Sequence, residues 1–163
     1  LENRFGVLFA EFGVLADKAA CARAYEINLS QGHYFLPGAE ETLRILSRDY
    51  KLYLASNGTA KVQAGRLKSA NISHFFEIIF VSQEVGADKP DITYFERVFA
   101  RIEGFQKEKA IIVGDSLTSD IQGGINAGIR TCWVNPKGKP VTNIVPDYQI
   151  ESIAQLEALL ETL

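Results

Sequence analysis

Residues 110–128, Ala-Ile-Ile-Val-Gly-Asp-Ser-Leu-Thr-Ser-Asp-Ile-Gln-Gly-Gly-Ile-Asn-Ala-Gly, constrain the fold more than any other stretch. Ala110 to Val113 is too short for a helix and rich in β-branched residues, which predicts a strand buried on both faces. Gly114 breaks the run, Asp115 and Ser116 follow at its tip, and Thr118 is the expected N-cap of a helix carrying Asp120. Gly123, Gly124 and Gly128 suit close backbone approach and a helix end better than a strong isolated helix. Residues just past the carboxyl end of a strand in an open parallel sheet line the ligand crevice. Asp115 and Asp120 are therefore expected to enter that crevice from one turn. Two carboxylates so spaced, with hydroxyls between them, suit a hard cation such as Mg²⁺ that keeps several waters. The competing reading is that both acids only cap a helix and favour its positive end.

The rest of the chain repeats the alternation. Strands are expected at Lys51–Ala55, Ile78–Val81, Thr131–Val134 and, as a short edge, Tyr148–Ile150. Between them lie helical runs at Gly38–Asp49, Thr59–Ala70 and from an Asp91 cap through Phe95, Val98, Phe99 and Ile102, with a closing helix begun by Ser152. Strands alternating with helices of about a dozen residues imply a parallel sheet, hence an α/β, doubly wound fold. Residues 1–35 differ. Phe5, Leu8, Phe9 and Phe12 recur at helical spacing up to Gly13, and Asp17 caps a second helix to about Gln31 with Ala20, Ala24, Ile27 and Tyr25 on its apolar side. The aromatic stripe reads as packing. Leu36-Pro37-Gly38 is the expected boundary between this hairpin and the α/β part.

Composition narrows the function classes. A net charge of −3 with no basic run argues against a nucleic-acid groove, and the apolar stretches are too short to span a bilayer. Cys21 and Cys132 lack the C-x-x-C spacing of a metal or redox site, so both are expected as buried small residues in a reducing compartment, the cytoplasm. His33, beside the expected boundary, and His74, in a polar turn, are expected to be structural and surface residues respectively, and no Ser-His-Asp or Cys-His arrangement stands out.

Three expected strands end in polar residues that would face one crevice. Ser56, Asn57 and Gly58 follow the first, Lys89 lies in the loop after the second, and Asp115 and Asp120 follow the third. A hydroxyl with nearby amides, an ammonium and an acidic metal pair is the set needed to hold a phosphoryl group. The partner expected from such a set is a small phosphorylated metabolite.

The order and spacing of these segments resemble the haloacid dehalogenase-like hydrolases, most of which are Mg²⁺-dependent phosphatases. Leu-Tyr-Leu-Ala-Ser-Asn-Gly (52–58) is similar to the family's second motif, with Ser56 as phosphate-binding hydroxyl. Gly-Ala-Asp-Lys-Pro (86–90) is similar to the third, with Lys89 as its lysine, and Val-Gly-Asp-Ser-Leu-Thr-Ser-Asp (113–120) to the fourth, with Asp115 and Asp120 as the metal-site pair. The resemblance implies a Rossmann-like core over residues 36–163 and part of a small α-helical cap over residues 1–35. Thr131–Pro140, with the 4–13 and 31–33 stretches, resembles most the branch acting on nucleoside 5′-monophosphates.

The resemblance has one departure. The family's first motif, D-x-D-x-T at the end of its central first strand, supplies the aspartate nucleophile, and no D-x-D occurs in these 163 residues. There is also no methionine. The expectation is that the whole molecule contains an additional amino-terminal segment bearing that strand, and that the 163 residues alone are inactive. The catalytic contributions expected from this chain are those of Ser56 and Lys89. The rival readings are a non-catalytic phosphate- or nucleotide-binding module, and a dehalogenase or phosphomutase of the same fold. A receiver domain is disfavoured because its acidic cluster should precede the hydroxyl and lysine, whereas here the acids come last.

Overall fold

The computed structural model describes residues 2–163. A helical hairpin comes first: α1 (Glu2–Phe12) and α2 (Lys18–Ser30). Asp17 caps α2 as expected, accepting from the Ala19 and Ala20 amides, and the Ala20 and then the Ala19 amide hold its carboxyl below the usual range. The apolar side of α2 is not where the periodicity put it. Ala22 is its buried residue, while Ala24, Tyr25 and Ile27 are exposed. Tyr25 instead meets Phe5 of α1 edge-on at 6.1 Å. An aromatic pair thus bridges the two helices, and Phe9 stands beside it at 5.9 Å from Phe5, both phenylalanines half-buried.

The α/β part follows as α3 (Ala39–Asp49), β1 (Tyr53–Ser56), α4 (Ala60–Ala70), β2 (Ile78–Val81), α5 (Ser82–Val85), α6 (Ile92–Phe99), β3 (Ile111–Gly114), α7 (Gln122–Ala127), β4 (Arg130–Val134), β5 (Tyr148–Ile150) and α8 (Leu156–Leu160). Gly38 starts α3 with φ of 80°, a conformation that side chains resist, so the boundary glycine is required by the turn. The first strand begins two residues later than expected and takes in Ser56, which pairs with Val81. The α6 helix stops at Phe99, and Ile102 packs on the core from the following turn. Thr118 is not the cap after β3. Ser116 is: its hydroxyl accepts from the Ser119 amide, and the chain enters α7 through one π-helical turn, Leu117–Ile121. Such widened turns recur at functional sites.

All strand pairs are parallel, and they form two sheets, β1–β2 and β3–β4–β5. Among the described residues β1 pairs only with β2, and β3, on the side away from β4, pairs with no strand. The burial agrees. β1 and β3 are half-buried throughout, where β4 is buried from Thr131 to Val134. What joins the two sheets is side-chain packing across the seam. On one face Ala55 and Ile112 pack on the cluster of Phe80, Tyr94, Phe95 and Val98, and on the other Leu52, Ile111 and Val113 pack around Leu46, Cys132 and Leu156. Neighbouring residues of β3 thus serve opposite faces, as the strand period demands. Gly123 and Gly124 let α7 settle onto this core. A β-carbon at Gly123 would lie 2.6 Å from the Phe95 ring, and one at Gly124 2.6 Å from the Thr131 methyl. This is a Rossmann-like α/β fold. No helix among the described residues is long and apolar enough to cross a membrane.

Candidate active site

The loops at the carboxyl ends of β1 and β3 meet at Lys89. Its ammonium donates to the Ala55 carbonyl at 2.6 Å and to Asp120 Oδ1 at 2.6 Å. Lys89 is only 8% exposed, and Asp120 is likewise 8% exposed. A buried ammonium is tolerable because a carboxylate and a carbonyl replace its water. Two of its three donors are thereby engaged, which leaves one for a ligand. The other oxygen of Asp120 accepts the Ser116 amide at 3.1 Å, so Asp120 is not a free carboxylate. Gly114 makes room for it, since a β-carbon there would overlap the Asp120 side chain.

Asp115 stands differently. It is exposed, and its carboxylate has no hydrogen-bond or ion-pair partner among the described residues. Its backbone is fixed instead, because Trp133 Nε1 donates to the Asp115 carbonyl at 3.0 Å. Trp133, 2% exposed, pairs in register with Gly114, so β4 anchors the tip of β3.

The β1 loop is held from several sides. The Gly58 amide donates to Ser82 Oγ at 3.0 Å and the Ala60 amide to Gln83 Oε1 at 2.8 Å. The Asn57 side chain pairs with the backbone of Lys89, and its amide group also reaches Ser119 Oγ at 3.4 Å. Ser56 Oγ makes only a 3.5 Å approach to the Asn57 carbonyl, too long to engage its hydroxyl. Beneath the site Tyr94 is fully buried and donates to the Phe80 carbonyl at 3.0 Å. Burial first, and then the charges of Asp120 and Asp88, push its phenol far above the usual range, so it stays a neutral donor.

Ser56, Asn57, Lys89, Ser119 and Asp120 are thus joined directly or by one residue, with Asp115 on the same strand tip. His33 and His74 lie outside this network. His33 Nδ1 is 2.8 Å from Ser69 Oγ on α4, and His74 is exposed. Cys132 is fully buried as expected, while Cys21 is half-buried. The residues that sequence reasoning missed are Ser82, Ser116, Ser119 and Trp133. The spacing of Ser116 before the Ser119 amide was the one local signal available. The partners of Trp133 and Ser82 exist only once strand register is known.

The fit to a divalent cation can be judged from the donors. Among the described residues no cluster of three or more His, Cys, Asp or Glu side chains could hold a metal alone. One unengaged carboxylate at a strand tip suits Mg²⁺, which takes one or two protein carboxylates and fills its remaining positions with water and phosphate oxygens. The donor set fits, with Asp115 the residue that would hold the ion.

Comparisons with known proteins agree with this architecture. Residues 4–134 match the family model described as haloacid dehalogenase-like hydrolase. The HAD-hydrolase YfnB of Bacillus subtilis is 40% identical over 161 residues, 98% of this chain and 68% of that protein. Its magnesium-bound crystal structure superposes with a TM-score of 0.92, covering 98% of this chain and 70% of that one. The pyrimidine 5′-nucleotidase PynA of Streptococcus pneumoniae is 40% identical over 158 residues, 96% of this chain and 67% of that protein.

Proposed function

Because the chain belongs to the haloacid dehalogenase-like hydrolases, we propose that it forms the phosphate- and metal-binding part of a Mg²⁺-dependent phosphatase acting on a small phosphomonoester. The observation that carries this reading is the buried Lys89 ammonium, held by Ala55 and Asp120 where the β1 and β3 loops meet, with one donor to spare. A transferring phosphoryl group needs fixed positive charge and donors at its equatorial oxygens. Lys89 supplies the charge, Ser56 Oγ a hydroxyl, and the Asn57 amide lies in the same loop, where the Gly58 amide is already engaged by Ser82 Oγ. Asp115 would hold Mg²⁺, which when bound offsets the charge of the phosphate and orients it.

The nucleophile is proposed to come from a D-x-D-bearing strand that these 163 residues do not contain, seated between β1 and β3. The one-sided pairing of both strands supports that seat, because bare backbone donors and acceptors in mid-sheet call for a partner. An aspartate of that strand would attack phosphorus and the ester oxygen would leave with a proton from the second aspartate. Water would then cleave the aspartyl-phosphate to inorganic phosphate. Residues 1–35 are proposed as part of the cap, and the two free cysteines favour a cytoplasmic setting. Nucleoside 5′-monophosphates are the proposed substrate class, supported by the likeness to PynA.

The test is hydrolysis of p-nitrophenyl phosphate and of a panel of nucleoside monophosphates by the full-length protein, with and without Mg²⁺. Metal-dependent turnover that Lys89→Ala reduces about 10²–10³-fold is the expected result. Phosphate binding without turnover by the full-length protein would favour the non-catalytic module.

A further inference from the structure

We propose that Asn57 is a positioning residue, whose side-chain amide sets the place of the Lys89 ammonium. Asn57 Nδ2 donates to the Lys89 carbonyl at 2.9 Å, and Asn57 Oδ1 accepts the Lys89 amide at 2.8 Å. One side chain thus satisfies both backbone groups of one residue, as a neighbouring strand would, across 32 positions of sequence. The lysine is pinned at both ends. Its backbone is held by Asn57, and its ammonium by Ala55 and Asp120. Ala55 and Asn57 flank Ser56, so two of the three residues that hold the lysine also bracket the hydroxyl expected to meet a phosphate. The same Nδ2 reaches Ser119 in the turn after β3, so Asn57 touches all three loops that build the site.

The geometry separates this role from general loop support. Gly58 is held by Ser82 on α5, a contact that does not involve Lys89. Removing Ser82 Oγ loosens the loop and leaves the Asn57–Lys89 pair, whereas truncating Asn57 frees the lysine backbone. A freed backbone lets the ammonium leave the Ala55 carbonyl, and its third donor loses a defined direction.

The proposal extends the phosphatase reading only in what the placed ammonium is for. Its test therefore has two arms, both on the full-length protein. In the first, the Lys89 ammonium is followed as a ¹H–¹⁵N correlation, visible because burial slows its exchange. Asn57→Ala is expected to abolish that signal with the backbone spectrum preserved, and Ser82→Ala to retain it. An unchanged Lys89 signal in Asn57→Ala overturns the proposal. Should Asn57→Ala fail to fold, Asn57→Asp decides, since it keeps the acceptor for the Lys89 amide and loses the donor to its carbonyl. A wild-type Lys89 signal in that variant also overturns the proposal. In the second arm inorganic phosphate is titrated by chemical-shift change, and Asn57→Ala is expected to bind up to about tenfold more weakly, because the freed lysine side chain must be ordered anew on binding. Failure of the wild-type protein to bind phosphate counts against the phosphatase reading, and the ammonium signal still decides the role of Asn57.

Discussion

Trp133 Nε1 donates to the backbone carbonyl of Asp115 at 3.0 Å, so a buried indole on β4 holds the tip of β3 by its main chain and leaves the Asp115 carboxylate without a polar partner among the described residues. The two neighbouring acids are thereby treated in opposite ways. Asp120 is spent on Lys89 and the Ser116 amide, and Asp115 is kept in position but free. Each arrangement makes a different experimental demand.

The Lys89–Asp120 pair should behave as a buried ion pair in stability measurements. Both side chains are nearly inaccessible, at 7% and 11% exposure. Removing either partner strands a charge in a poorly solvated place, and Lys89→Met or Asp120→Leu alone should cost about 3–5 kcal/mol. The double variant should be more stable than either single one, because no charge remains unpaired. Urea denaturation of the four proteins measures the coupling. Strictly additive losses would mean that the two groups do not depend on each other.

Much of the fold was legible because it rests on local signals. Ile78–Val81 and Tyr148–Ile150 are strands with the expected bounds, since β-branched or aromatic runs are bracketed there by polar residues. Asp17 and Asp91 were readable as caps for the same reason. The site was legible as a list of residues but not as a circuit. That Asn57 would bind the Lys89 backbone, or that Asp120 would face a lysine rather than stay open, depends on which loops meet across more than thirty positions. The seat of the cap was misjudged at Thr118 because the chain takes a wide turn that no propensity scale rewards.

Burial separates the two thiols. Cys132 is fully buried and burial pushes its pKa up to about 11, while Cys21 is half-buried. In native protein a thiol reagent should modify Cys21 first and Cys132 only after unfolding. The folded state holds the Cys132 proton more tightly than the unfolded chain, so its contribution to stability is full below the unfolded thiol pKa, about 8.5, and is lost as pH rises toward about 11. Wild type should therefore lose more stability than Cys132→Ala between these limits, by about 2 kcal/mol or somewhat more. Equal slopes in the two proteins would show that the thiol ionises alike in both states.

The helical hairpin is seated on α4 at two small residues one turn apart. A β-carbon on Gly65 would stand 2.7 Å from the Ser30 carbonyl oxygen, and Ser69 Oγ bonds the Gln31 carbonyl at 3.3 Å besides meeting His33. Gly65→Val should push the end of α2 away from α4. Tyr34, 95% exposed in the connecting segment, is a ready chymotrypsin site, so the variant should be nicked there faster than wild type. Equal nicking rates would show that the hairpin is held elsewhere.

Asp115 offers the cleanest separation of binding from folding. Its carboxylate touches no polar partner among the described residues, so Asp115→Asn should leave stability within about 0.5 kcal/mol of wild type. The same change removes the one free carboxylate proposed to hold Mg²⁺, and metal affinity measured by calorimetry should fall at least about tenfold, as loss of a charged ligand predicts. Trp133→Phe makes the complementary change. It keeps the carboxylate and removes the donor that fixes its backbone, so the fold should lose about 1–2 kcal/mol through the orphaned carbonyl and the smaller ring. Its Mg²⁺ affinity should fall less than that of Asp115→Asn, because the ligand is present but less well aimed. Undiminished Mg²⁺ binding by Asp115→Asn would move the metal away from the tip of β3, and with it the proposed meeting point of phosphate, lysine and ion.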